Sequence, residues 1–262
     1  MIVESLEPVS GEACPQSAIR ITYTSSFDGA QDRALFLPGE KSKNTIVYLH
    51  GSFSGADQIF TRRDIRDFWL SRILAGRHSL LSVNMRGTSY MSPAATTDMT
   101  DLLQYAREEL GCGEFTLLGG SGGASSAMAY AVLHPENVHG VIAMGMCDIL
   151  ARLDFARQSD NPVLQDLARC VFRAYGATPE EKPELYEARS VLRHADQLTM
   201  PIVLTMGEAD ALIPVAETRK IASAMQDREN FAYHEVPGGD HDSALWVDVD
   251  LDTFQIRDQT GE

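Results

Sequence analysis

The chain of 262 residues is 44% hydrophobic and carries 37 acidic against 22 basic side chains, a formal net charge of -15. That length and apolar content suffice for one sizeable core, and the negative balance repels phosphate backbones and anionic lipid surfaces, so neither nucleic acid nor a membrane is an expected partner. The start Met1-Ile2-Val3-Glu4 lacks the basic and apolar regions of a secretion signal and no stretch reaches bilayer-spanning length, so a cytoplasmic protein is expected. Cys14, Cys112, Cys147 and Cys170 are scattered without a C-x-x-C pair, so neither a disulfide framework nor a metal site is signalled, and no cofactor is expected.

Residues 19–23 alternate apolar and polar, Asp28-Gly29 supplies turn chemistry and residues 34–37 return, which predicts an antiparallel hairpin at the N-terminal side of a sheet. Apolar strand patterns then recur at 46–49, 80–83, 115–118, 138–144, 202–205 and 231–236. Helical patterns fall between and after them at 57–74, 98–110, 122–133, 215–225 and 243–254. Alternation of this kind predicts an α/β fold with a mostly parallel, doubly wound sheet. The rhythm breaks over 149–195, where Val163, Leu164, Leu167, Val171 and Phe172 have helical spacing and no strand pattern appears. This stretch reads as a helical insertion within a single domain over 1–262, with a polar tail after Phe254.

The run Leu118-Gly119-Gly120-Ser121-Gly122-Gly123-Ala124 sits between the strand pattern at 115–118 and an alanine-rich helical pattern. Glycines two residues either side of Ser121 allow a tight strand-to-helix reversal with the serine at its apex, as a nucleophile requires. A glycine-rich turn with an incidental serine has the same local pattern, so the assignment depends on partners elsewhere. A nucleotide-binding P-loop does not fit, because no Lys-Ser/Thr pair follows the glycines.

A serine nucleophile needs a base, and the base needs a carboxylate to fix its tautomer. Downstream, Asp210 lies in the loop after the strand at 202–205 and His241 in the loop after the strand at 231–236. Both loops leave the C-terminal ends of parallel strands, where the crevice of an open α/β sheet forms, so Asp210 and His241 are placed on the edge that carries Ser121. His50 at a strand end and His234 within a strand read as structural histidines. Glu208 and Asp148 are other acids at strand ends, and Asp148 is the serious rival to Asp210. For a developing oxyanion, the amides of Gly122 and of Ser52, in the His50-Gly51-Ser52-Phe53 loop, are the candidate donors.

On these motifs the chain resembles the α/β-hydrolase superfamily and, within it, the catalytic domain of the prolyl-oligopeptidase family and its stand-alone relatives. The resemblance runs from Tyr23-Thr24-Ser25-Ser26-Phe27-Asp28-Gly29 through Asn84-Met85-Arg86-Gly87 and Gly119 to Gly123, on to Asp210 and Gly239-Asp240-His241. It implies an α/β-hydrolase fold, Ser121, Asp210 and His241 as a catalytic triad, and Asp148 as a structural aspartate. Two departures shift the expected substrate. A 262-residue chain leaves no room for the propeller of those peptidases, and His50-Gly51 stands where they have an oxyanion-hole tyrosine. The expectation is a serine hydrolase acting on a small carboxylic ester or related acyl compound, with a peptidase releasing short acyl or aminoacyl units and a non-catalytic binding protein as alternatives.

Overall fold

A computed structural model describes residues 1–9, 14, 15 and 17–257. Its centre is a nine-stranded sheet in the order β1-β2-β3-β5-β4-β6-β7-β8-β9. The strands are β1 (Ile2–Pro8), β2 (Ile19–Thr24), β3 (Gln31–Leu37), β4 (Thr45–Leu49), β5 (Ser79–Val83), β6 (Phe115–Gly120), β7 (Gly140–Met144), β8 (Ile202–Gly207) and β9 (Phe231–Val236). From β1 to β3 and on to β5 the pairing is antiparallel, and every later pairing is parallel. The fold is thus the α/β-hydrolase fold expected from the sequence, a mostly parallel sheet entered through an antiparallel hairpin.

Side-chain alternation explains how the central strands are covered on both faces. In β4, Val47 and Leu49 join one core cluster while Ile46 and Tyr48 join the other. In β7, Val141 and Ala143 separate from Ile142 and Met144 in the same way. One face is packed by α4 (Pro93–Glu108), α5 (Gly122–Leu133) and α9 (Val215–Met225), through residues such as Met99, Met128 and Ile221. Ile59, Phe60, Trp69 and Ile73 cover the other face, carried by α1 (Gln58–Thr61), α2 (Arg63–Ile65), a π-helical turn over Arg66–Leu70 and α3 (Ser71–Ala75). Strands buried on both faces read as continuous apolar runs, which is why they stood out in the sequence.

Between β7 and β8 lie α6 (Ile149–Gln158), α7 (Pro162–Tyr175) and α8 (Pro183–Glu187), which bury a separate apolar cluster including Leu153, Leu167, Val171 and Tyr186. α7 has the start and stop signals its sequence suggests. Asn161 accepts a hydrogen bond from the Val163 amide at 3.0 Å, Pro162 opens the helix, and Gly176 ends it at φ 70°.

The expected hairpin is present as β2 and β3, and β1 adds a mostly exposed edge strand to it. Two expectations need correction. The helix expected over 57–74 is interrupted at Arg62, which is extended at φ -77° and ψ 109°. The helix expected over 243–254 is a single 3-10 turn, Ser243–Trp246, followed by extended chain in which Val249 pairs with Ile256. The polar tail expected after Phe254 lies mostly outside the described residues, although Ile256 and Arg257 are held by that pairing and by the Arg257–Asp250 ion pair. Among the described residues, no helix is long and apolar enough to cross a membrane.

Candidate active site

Ser121 stands at the β6–α5 junction with φ 56° and ψ -119°, a conformation costly for a residue with a side chain and one that holds it clear of both elements. Its amide donates to the Met144 carbonyl at 2.8 Å, so the turn is tied to the end of β7. Gly123 permits the sharp reversal, since a Cβ there would lie 2.0 Å from the Leu49 carbonyl oxygen. Close packing of α5 against β4 therefore depends on that hydrogen side chain.

The loops after β8 and β9 are stitched to each other before they reach the site. Glu208 donates its amide to the Val236 carbonyl at 3.0 Å, Ala209 donates to Gly239 at 2.7 Å, and the Gly238 amide donates to Glu208 Oε2 at 2.8 Å. This brings Asp210 against His241. Asp210 Oδ2 lies 2.7 Å from His241 Nδ1, while Oδ1 accepts the amides of Leu212 at 2.7 Å and Ile213 at 2.9 Å. The Asp210 side chain is fully buried and that of His241 is 17% exposed, so the imidazole edge away from Asp210 can meet a ligand.

Ser121 and His241 both line one cavity of about 220 Å³, whose wall includes Tyr48, Ser52, Gln58, Trp69, Arg152, Leu164 and Leu245. Ser52 lies beside Gly122, with its nitrogen 3.0 Å from where a Gly122 Cβ would be. The Phe53 amide is committed to Thr88 Oγ1 at 2.7 Å, whereas the Ser52 amide has no acceptor among the described residues. Of the Ser52 and Phe53 amides, that of Ser52 is the one left to serve a ligand. The Gly122 amide opens α5, where the helix dipole favours negative charge.

The rival residues have other partners. Both ring nitrogens of the buried His50 face carbonyl oxygens, of Gly51 and Asn84, each at 2.8 Å. Asp148 caps α6 through Oδ1, which accepts the Leu150 amide at 3.1 Å. Its Oδ2 accepts the Ser190 hydroxyl at 2.7 Å and the Leu192 amide at 3.1 Å. Asp240 accepts the Ser243 hydroxyl at 2.7 Å, which holds its carboxyl below the usual range, and Asp242 pairs with Arg62 at 3.3 Å.

Sequence reading passed over Gln58 and Arg152. Gln58 Oε1 accepts the Gly51 amide at 2.9 Å and the Tyr48 hydroxyl at 2.7 Å, and its amide group donates to Ser54 Oγ at 2.8 Å, which braces the loop carrying Ser52. Nothing in the local pattern marks it. Arg152 did leave a signal, as a charged residue on the helix face that buries Ile149, Leu153 and Ala156.

The family described as alpha/beta hydrolase fold matches residues 44–172. Over 108 residues, 38% of this chain, the sequence is 33% identical to the proline iminopeptidase of Neisseria gonorrhoeae, and the chain spans about a third (32%) of that relative's length. An esterase of Pyrococcus furiosus superposes with a TM-score of 0.65 at 15% identity, covering 92% of this chain and 93% of the esterase. A puromycin-hydrolyzing peptidase of Mycobacterium tuberculosis also gives a TM-score of 0.65, at 18% identity, covering 88% of this chain and 37% of the peptidase. With the strand order, the Ser121 turn and the family match over residues 44–172 in hand, the chain has the α/β-hydrolase fold.

Proposed function

We propose that the protein is a serine hydrolase that cleaves a small carboxylic ester or related acyl compound through an acyl-enzyme. The observation that carries this reading is the buried Asp210 carboxylate 2.7 Å from His241, which lines the same cavity as a Ser121 held at φ 56°. Ser121 Oγ attacks the carbonyl carbon as His241 Nε2 takes the hydroxyl proton, and Asp210 keeps the other ring nitrogen protonated and stabilises the imidazolium. The carbonyl oxygen becomes an oxyanion facing the amides of Gly122 and Ser52. Collapse breaks the bond to the leaving group, which takes the proton from His241. Water then attacks the acyl-enzyme, giving a proton to His241, and Ser121 recovers it as the acid product departs. The helices α6 and α7 serve as a cover, since Arg152, Leu164 and Leu167 reach the cavity wall.

A peptidase reading draws support from the 33% identity to a proline iminopeptidase. The cavity disfavours it, because its acid Asp242 is paired with Arg62 and its remaining charged wall residue is an arginine. Labelling with a fluorophosphonate probe tests the nucleophile, with Ser121→Ala expected to abolish labelling and to lower the rate roughly a millionfold if the triad acts as a unit. A panel of 4-nitrophenyl esters of graded chain length, run beside aminoacyl anilides, separates the two readings. Labelling that persists in folded Ser121→Ala overturns the assignment.

A further inference from the structure

Arg152 is 2% exposed and sits on the cavity wall. Nη1 donates to the Leu212 carbonyl, but neither Nε nor Nη2 has an acceptor among the described residues. No carboxylate among the described residues comes within ion-pairing distance of this guanidinium. Every other charge on the wall is accounted for: Arg62 pairs with Asp64 at 2.8 Å and Asp242 at 3.3 Å, and His241 with Asp210 at 2.7 Å.

An isolated buried charge is unfavourable unless something compensates it, and an arginine cannot escape by losing its proton as a lysine can. The uncommitted edge is the one formed by Nε and Nη2, whose two parallel N–H groups match the two oxygens of a carboxylate. The same wall carries the apolar side chains of Ile65, Trp69, Leu164, Leu167 and Leu245, and the cavity's volume of about 220 Å³ suits a small molecule. In a chain with a formal net charge of -15, a single unpaired cationic fork on the wall of the serine's cavity is a selective feature.

We propose that the Nε–Nη2 edge of Arg152 is an anion subsite and that the substrate is a short acyl compound bearing a carboxylate, such as a monoester of a small dicarboxylic acid. The proposal rests on the serine-hydrolase reading for the bond that is cleaved, and on Arg152 alone for the charge that is recognised. It disfavours substrates that present a free ammonium group to the same wall.

The test compares kcat/KM for 4-nitrophenyl hydrogen glutarate and 4-nitrophenyl pentanoate, which differ by a carboxylate against a methyl group. A second pair, 3-acetoxypropanoate and propyl acetate, places the charge on the alcohol side. The anionic member of at least one pair is expected to be favoured roughly 10- to 100-fold, the range of a hydrogen bond to a charged group. Arg152→Met should bring that ratio to one or below, and Arg152→Lys should leave an intermediate value. Neutral members equal or better in both pairs, or a ratio that survives Arg152→Met, overturn the proposal while leaving the serine mechanism standing. Should Arg152→Met fail to fold, as read by circular dichroism, the wild-type ratio and Arg152→Lys decide. Should no ester be hydrolysed, calorimetry of monomethyl glutarate and methyl butyrate with the Ser121→Ala protein decides. Binding of the anion alone keeps the subsite though the hydrolytic reading fails, and binding of neither removes it.

Discussion

Gly122 lies so close to Ser52 that a Cβ on it would stand 2.4 Å from Ser52 Oγ and 3.0 Å from the Ser52 nitrogen. The amide after the serine and the amide of the β4 loop therefore share one small volume only because residue 122 has no side chain. Gly122→Ala should push the loop away and lower kcat by roughly a hundredfold or more, the scale of losing one oxyanion donor. Thermal melting should change far less. Steady-state kinetics on the purified variant checks this, and wild-type kcat would show that the two amides do not act together.

The two buried aspartates should separate activity from stability. Asp210→Asn should keep the fold while kcat drops by roughly four orders of magnitude, because the histidine tautomer is lost. Asp148→Asn weakens the cap on α6 and its bonds to Ser190 and Leu192, so it should lower stability by about 1 kcal/mol or more and leave most of the activity. Single-turnover acylation and denaturant melts on both variants are the measurements. A folded but inactive Asp148→Asn beside an active Asp210→Asn would reverse the assignment.

Thiol chemistry offers a check on the core. Burial pushes the Cys147 thiol up to about 12, and its Sγ faces the Asp148 carbonyl at 3.7 Å. A thiol kept protonated and out of solvent is a poor nucleophile. At pH 8 and without denaturant, Cys147 should stay unmodified by iodoacetamide over the time that Cys170, which is partly exposed, is alkylated. Peptide mass mapping reads the order, and early labelling of Cys147 would mean that the β7 end opens readily.

Acid should loosen the segment after the 3-10 turn first. Burial by itself would raise Asp250, yet the amides of Thr253 and Asp252 and the Arg257 guanidinium outweigh it and bring the carboxyl to about 2. A carboxyl held lower in the folded state than in the unfolded chain contributes stability that is complete above the unfolded value, near 4, and is lost as pH falls toward 2. Asp250→Asn should therefore melt below the wild type at neutral pH, by a margin that shrinks across this interval. Calorimetric melts at stepped pH give the comparison, and a margin independent of pH would refute the role of the charge.

The parallel strands were legible because burial on both faces leaves an unbroken apolar run, and the bounds of α5 and α9 were read directly from their composition and periodicity. The segment after His241 was misread for a specific reason. Val247, Val249 and Leu251 are all buried at a spacing of two, the mark of extended chain and not of the helix expected over 243–254. The break at Arg62 had no local signal, since no proline or glycine stands there. There the Arg62 guanidinium pairs with Asp64 at 2.8 Å and with the distant Asp242 at 3.3 Å, while Tyr48 and Gly51 hold Gln58. Ser121, Asp210 and His241 were visible because each follows a strand, and the structure brings Asp210 to His241 and places His241 and Ser121 on one cavity. Arg152 is marked in the sequence as a charge on the apolar face of α6, but only the third dimension shows that no acid faces it.

The carboxylate of Asp148 bonds Leu150 at one end of the segment between β7 and β8 and Ser190, 42 residues later, at the other. The stretch leaves and rejoins the sheet through one clasp, so from the sheet's side it is a closed ring whose length has little say in where Ser121 or Asp210 stands. The entropy of closing such a ring rises only with the logarithm of its length, about 0.6 kcal/mol for a doubling. Insertions and deletions between α6 and α8 can therefore reshape the wall above the serine at small thermodynamic cost, and a lineage can change what it accepts without disturbing how it reacts.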